Sequence, residues 1–173
     1  QVNDGGPSDA VEPSPASDAG SDAEPPAIDA GCGVTFSQRG SFVDVGIVMG
    51  APPFLNGGMI VPGLYELTAM RAYFDGSQSG TMQVRETMRV RGSAAAGAFD
   101  RLTEAQSATG SFEAYPLHGE TITFETTAGP GIILTAECPM KDLGNNARYE
   151  QKGDTLTLFD DFEFVERVYR RVE

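Results

Sequence analysis

Three carboxylates occupy positions from which acid–base or ligand chemistry could arise. Glu86, Glu166 and Glu66 each lie in a run of alternating apolar and polar residues, on the side that carries apolar neighbours. If the first and last strands pair, these acids come together inside the fold, where burial and mutual repulsion raise carboxyl pKa values. Such a group could bind a ligand or act as an acid/base pair. The alternative is that a bulge turns some of them outward, or that an arginine neutralises them.

Residues of other reactive types are few and isolated. His118 is the only histidine, and the sequence around it, Pro-Leu-His-Gly, indicates a turn rather than a catalytic base. The segment Gly76-Ser-Gln-Ser-Gly80 has glutamine where a serine-hydrolase elbow has its nucleophile. No phosphate loop, dinucleotide fingerprint or zinc-protease motif occurs. We therefore predict that the protein is not an enzyme and uses no cofactor.

The two cysteines, Cys32 and Cys138, belong to no CxxC motif and no Cys/His cluster, so we expect no metal site. The simplest use of two such cysteines is a disulfide that fastens the start of the domain to a late strand. Closing a loop of this length would stabilise the fold by about 4–5 kcal/mol in the chain-entropy treatment. A disulfide would also imply an oxidising compartment. Two unrelated free thiols are the alternative.

The first 31 residues differ in composition from the rest of the chain. They hold seven of the 25 acidic residues, five prolines, no lysine or arginine and no aromatic residue. Such a segment buries too little apolar area to fold, so we predict a disordered acidic linker over residues 1–31. The net charge of −13 repels phosphates, and we expect no nucleic-acid partner. No apolar run is long enough for a transmembrane helix.

The remaining sequence alternates apolar and polar residues in short runs closed by glycine-rich turns. Residues 81–91 show this clearly, with four apolar residues on one face and five polar ones on the other. About nine such runs predict an all-β domain over residues 63–173: an antiparallel up-and-down barrel of about eight strands, or a β-sandwich. Residues 32–62 should form an N-terminal arm packed on it. Their apolar stretch 50–62 either covers one end or acts as a lid over a ligand cavity.

Three segments of the chain carry a family resemblance. These are Gly63-Leu-Tyr-Glu-Leu-Thr, Gly153-Asp-Thr-Leu-Thr-Leu and the closing run Phe164-Val-Glu-Arg-Val-Tyr-Arg-Arg. Over residues 63–171 the chain resembles bacterial lipocalin-like domains, although it has no tryptophan and so lacks the Gly-x-Trp signature of lipocalins. Its acidic leader is similar to the tether of an exported lipoprotein. The resemblance implies a secreted or envelope-anchored protein, with the acylated cysteine directly before Gln1.

Two functions follow as hypotheses. The first is an exported, tethered monomer that holds a small hydrophobic molecule in the barrel and touches the membrane only through a lipid anchor. The second is an envelope structural or interaction protein with a filled core. If aromatic residues such as Phe124, Phe162 and Phe164 point inward, they would fill the core and favour the second hypothesis. For the first hypothesis, the candidate ligand-binding residues are Phe54, Leu55, Met59, Met70, Met82, Glu86, Met88 and Glu166.

Overall fold

The computed structural model describes residues 32–74, 80–110, 114–141 and 144–173. The predicted linker over residues 1–31 lies outside this range. Within it the fold is all-β, as predicted, with nine strands: β1 Val43–Val48, β2 Gly63–Tyr73, β3 Gly80–Gly92, β4 Ala96–Gly110, β5 Tyr115–Thr126, β6 Gly131–Cys138, β7 Asn145–Lys152, β8 Thr155–Asp160 and β9 Val165–Arg171.

The nine strands form one hydrogen-bonded sheet that closes into a ring. Strands β2 to β9 follow one another in antiparallel order, and β9 pairs with β2. The ring is not a regular barrel, because β2 and β3 pair only over Gly63–Glu66 and Thr87–Val90. Beyond that point β1 pairs with both strands, parallel to β2 and antiparallel to β3. Closure of a sheet into a ring pairs strand edges that would otherwise be free to pair with another chain.

Strand β2 contains a bulge that decides which of its side chains face inward. Its pairing with β9 shifts register between Leu67 and Ala69. Before the bulge Tyr65 and Leu67 are buried in the core, and after it Met70 and Ala72 are. The extra residue therefore reverses the alternation, and Arg71 points outward.

The outer surface of the ring is covered in part by residues 32–42. These residues are the first part of the predicted N-terminal arm, and from here on we call them the arm. Val34 and Phe36 are buried against Leu64 and Leu102 in a second apolar cluster outside the ring. The backbone of Arg39 donates to Thr87 Oγ1 at 2.7 Å and accepts from it at 3.0 Å. The predicted disulfide, Cys32–Cys138, is present with its Cα atoms 5.5 Å apart. It attaches the arm to the end of β6.

Residues 49–62 form a strap, and its second half, around Gly57 and Ile60, packs on the ring end where β2 begins. Gly57 donates to Tyr149 O at 2.8 Å and accepts from Gln151 N at 2.9 Å, while Ile60 is 1% exposed within the core. Gly57 has φ +76°, and a Cβ there would lie 2.7 Å from Gly129 O. Only glycine allows this approach, so the strap is a fixed part of the domain end.

Candidate functional site

The interior of the ring contains a buried polar cluster, which we call the interior cluster: Glu86, Arg101, Glu120, Arg167 and Tyr169. Glu86 shares the inward face of β3 with Val84, Met88 and Val90, as the alternation predicts, and is 2% exposed. The hydroxyl of Tyr169, itself fully buried, donates to Glu86 Oε1. Glu86 is therefore enclosed, with a neutral phenol as its direct hydrogen-bond donor.

Two guanidinium groups lie close to the Glu86 carboxylate. Arg101 Nη1 is 3.8 Å from Glu86 Oε1, and Arg167 Nε is 3.9 Å from Glu86 Oε2. Arg101 also donates from Nη2 and Nε to Glu120 Oε1, at 2.7 and 2.8 Å, across the β4–β5 pair. Two positive charges are thus balanced by the two carboxylates of the interior cluster, as buried charges require.

The electrostatics of the interior cluster keep the Tyr169 phenol neutral and the Arg101 guanidinium charged. Burial raises the pKa of Tyr169, and the charge of Glu86 raises it further, so the phenol stays protonated. Burial alone would lower the pKa of Arg101, but the carboxylates of Glu120 and Glu86 outweigh it and raise that pKa. Tyr169 and Arg101 therefore do not act as proton donors near neutral pH.

An interior cavity of about 150 Å³ opens beside these charges. Arg167 Nη2 reaches Glu163 Oε2 at 3.0 Å, in the turn between β8 and β9, where the Glu163 side chain is 52% exposed. Arg167 Nε is buried and has no hydrogen-bond partner. The cavity is lined by Arg101, Glu120, Ile122, Leu134, Ala136, Asn145, Leu158, Asp160, Glu163 and Arg167.

A second, larger concavity lies at the rim of the ring, and we call it the rim groove. Its volume is about 580 Å³, and it is lined by Met49, Gly50, Pro52, Tyr73, Phe74 and Phe164. Among the described residues, the side chains that line it are apolar except for the hydroxyl of Tyr73, which donates to Glu166 Oε2 at 2.9 Å and is therefore already paired. Volume and lining both fall in the range of small-molecule sites.

Phe164 forms one wall of the rim groove in a backbone conformation that is rare for its type. Its φ is +55°, and its side chain is half exposed. The conformation is fixed by neighbours: Tyr73 N donates to Phe164 O at 2.9 Å, and Asp160 Oδ1 accepts from the backbone of Phe162 and Glu163. Left-handed bulky residues are uncommon and concentrate at ligand sites and switches.

The three carboxylates predicted to meet do not do so. Only Glu86 faces inward. Glu166 lies on the outer face of β9, where Arg71 Nη1 is 3.0 Å from its Oε2, and Glu66 is on the outer face of β2 beside Gly40. Of the two alternatives, neutralising arginines describe Glu86 and Glu166. The bulge does not turn Glu66 outward, because Glu66 precedes it and lies on the face opposite Tyr65 and Leu67.

The other candidate ligand residues lie in different environments. Met70 and Met88 belong to the buried core, and Met82 packs against it. Leu55 is buried in the strap, whereas Phe54 and Met59 are 86% and 70% exposed. None of the eight candidates lines the interior cavity or the rim groove.

Two expectations about aromatic residues and histidine need correction. Phe162 and Phe164 do not fill the interior, because they lie in the β8–β9 turn and are exposed. His118 lies in β5 rather than in a turn, and its ring is exposed. Among the described residues, no group of three His, Cys, Asp or Glu side chains is placed to hold a metal ion.

Sequence reasoning did not assign Arg101 and Tyr169 to the interior. The signal for Arg101 was its position two residues after Phe99, which places both on one face of β4. Tyr169 stands two residues from Arg167 on β9, and both face Glu86. The prediction placed Glu166 on the side of Phe164 and Val168, whereas the inward side of β9 carries Val165, Arg167 and Tyr169.

Three of the five tyrosines should resist ionisation in the folded protein. Burial raises the pKa of Tyr65, Tyr73 and Tyr169, with Glu166 adding to the effect at Tyr73 and Glu86 at Tyr169. Phenols of the unfolded chain lose their protons near about pH 10. The folded state keeps these protons, so this contribution to stability is complete below about pH 10 and declines as the pH rises above it.

The measurement is tyrosinate absorbance during an alkaline titration, with far-ultraviolet circular dichroism recorded in parallel. We expect Tyr65, Tyr73 and Tyr169 to ionise only in the phase that coincides with unfolding. Ionisation of all five tyrosines near about pH 10 with the sheet intact would contradict the expectation.

Fold and site together define a class: an all-β domain with a closed nine-stranded sheet, a buried charge cluster and an apolar groove at its rim. Comparison with protein-family models, curated proteins and solved structures finds no match. Within the residues described, no helix has the length and apolar character needed to cross a membrane.

Proposed function

We propose that this chain is an exported, envelope-tethered binding module that holds a small apolar molecule in the rim groove. The observation that carries the proposal is a groove of about 580 Å³ with a wall formed by a left-handed phenylalanine. A methionine, a proline and three aromatic rings offer an adaptable apolar surface. The Tyr73 hydroxyl is held by Glu166, so the groove presents the Tyr73 ring with its polar end already paired.

The proposed tether and cellular location are supported by the composition of residues 1–31 and by the disulfide. Residues 1–31 have the acidic, proline-rich composition of a spacer. The Cys32–Cys138 disulfide is of the kind that persists in oxidising compartments. Both features suit a lipoprotein or a secreted protein of the cell envelope.

The test uses Phe164→Gly and an uncharged fluorophore, N-phenyl-1-naphthylamine, as the probe. Glycine adopts positive φ without strain, so the variant should unfold at the same temperature as the parent or slightly higher. It also removes the groove wall, so we expect probe affinity to fall about tenfold or more, the loss of one well-packed aromatic contact. Fluorescence titration and thermal unfolding measure the two effects separately.

Phe162→Gly is the matched control, because Phe162 is an exposed aromatic residue of the same turn and does not line the groove. It should bind the probe as the parent does. Equal probe binding by the parent and Phe164→Gly, or no saturable binding by the parent, would refute the groove as a ligand site. Mass spectrometry of gently purified protein then identifies any molecule that accompanies it.

The second candidate function is an envelope interaction protein with a filled core. It is favoured by the packing of the ring interior, where Tyr65, Met88, Phe99, Phe124 and Tyr169 are at most 1% exposed. Around the rim groove, Met49 and Phe162 are each 77% exposed, as in a surface that meets another protein. Repeated absence of a small molecule, together with chemical cross-links from this rim to one envelope protein, would favour this function over ligand carriage.

A further inference from the structure

The interior cavity has a polar side and an aliphatic side. Arg101 and Arg167 present guanidinium groups to it, and Ile122, Leu134, Ala136 and Leu158 supply apolar surface. The cavity opens toward solvent beside the half-exposed Glu163, and its volume of about 150 Å³ equals the bulk volume of about five water molecules. A ligand that fits must be small and have one polar end and one apolar end.

The polar side of the cavity has an unused donor. Arg167 Nε is buried and makes no hydrogen bond, and Glu86 Oε2, at 3.9 Å, lies beyond hydrogen-bonding distance. A buried donor without an acceptor is unfavourable. The missing partner is therefore a hydrogen-bond acceptor, and a carboxylate is the acceptor that best matches a guanidinium.

Charge balance indicates how an anion could be accommodated. Glu86 and Glu120 already balance Arg101 and Arg167, and the carboxylates of Asp160 and Glu163 also line the cavity, so an added negative charge needs one to leave. Glu163 pairs with Arg167 from the β8–β9 turn, and its side chain is 52% exposed. An incoming carboxylate can take its place on Arg167 while Glu163 returns to water, so the charge within the cavity is unchanged.

From this geometry we propose that the interior cavity binds a short aliphatic carboxylate of about four to six non-hydrogen atoms. Its carboxylate lies on Arg167 in exchange for Glu163, and its alkyl tail faces the aliphatic lining. The site is separate from the rim groove and stands independently of the function proposed there.

The test is a titration of the isotope-labelled full chain with sodium propionate, at ionic strength held constant with sodium chloride. The Arg167 Nε–H resonance should shift in a saturable manner, because its proton gains an acceptor. Propylammonium chloride, of the same size and opposite charge, should give no saturable shift. Equal responses to propionate and propylammonium, or none to propionate beyond that of chloride, would overturn the proposal.

Two variants assign the binding to the cavity. Glu163→Gln removes the competing carboxylate from a half-exposed position, so propionate should bind about fivefold more tightly. Arg167→Gln should abolish saturation, with Arg170→Gln as its matched control, because Arg170 is exposed on the same strand. If Arg167→Gln fails to fold, Glu163→Gln decides: weaker or unchanged binding refutes the exchange.

Discussion

Replacement of Glu86 by glutamine is expected to lower the free energy of unfolding by about 3–5 kcal/mol. The change keeps the shape of the side chain but removes the negative charge that faces Arg101 and Arg167 inside the ring. Glu120 is then the one carboxylate left in the interior cluster, and Glu163 reaches Arg167 only from a half-exposed position in the turn. An uncompensated buried charge is among the most destabilising single changes in a protein.

Chemical denaturation of the parent and of Glu86→Gln measures this difference. Glu104→Gln is the matched control, because Glu104 forms an ion pair with Arg85 on the outer face at about 30% exposure. Its loss should lower the free energy of unfolding by no more than about 1 kcal/mol. Similar losses for the two variants would show that burial inside the ring does not determine how much Glu86 contributes to the free energy of unfolding.

Removal of the disulfide should have an effect of similar size. The Cys32–Cys138 bond closes a loop with a sequence separation of 106, which in the chain-entropy treatment stabilises the folded state by about 4–5 kcal/mol. The double variant Cys32→Ser, Cys138→Ser should lose this amount. The arm should detach first, because its apolar cluster beneath Phe36 is small.

Denaturant unfolding and amide hydrogen exchange of residues 32–42 report the two parts of this prediction. Addition of a thiol reductant to the double variant is the control and should change nothing, whereas the parent should lose stability on reduction. A double variant as stable as the parent, with the arm still protected from exchange, would contradict the entropic account.

The sequence predicted well those features that depend on local alternation. The face of β3 that bears Val84, Glu86, Met88 and Val90 is continuous and apolar except for Glu86, so its inward direction could be predicted. The disulfide was also predictable, because the described chain offers only two cysteines and they lie far apart in sequence. These inferences needed no knowledge of which strands become neighbours.

Other features depend on contacts between residues that are far apart in sequence, and the pattern of a single strand does not predict these contacts. The position of β1 between β2 and β3 follows from where those strands separate, not from the sequence of Val43–Val48. Outer-face residues such as Thr87 and Phe159 are fully buried because the arm and neighbouring side chains cover them, which removes the contrast between faces. The bulge after Leu67 reverses the parity of β2, so Arg71 and Glu166 meet outside the ring.

The covalent bond at Cys32 has a mechanical consequence. A pulling force applied to the chain ahead of Cys32 is divided there between the arm and the sulfur–sulfur bond, and the shorter covalent route leads directly to the end of β6. The arm is thereby relieved of tension while its hydrogen bonds to β3 remain in place. An anchored domain of this design would bear load on its sheet and leave its first contacts undisturbed.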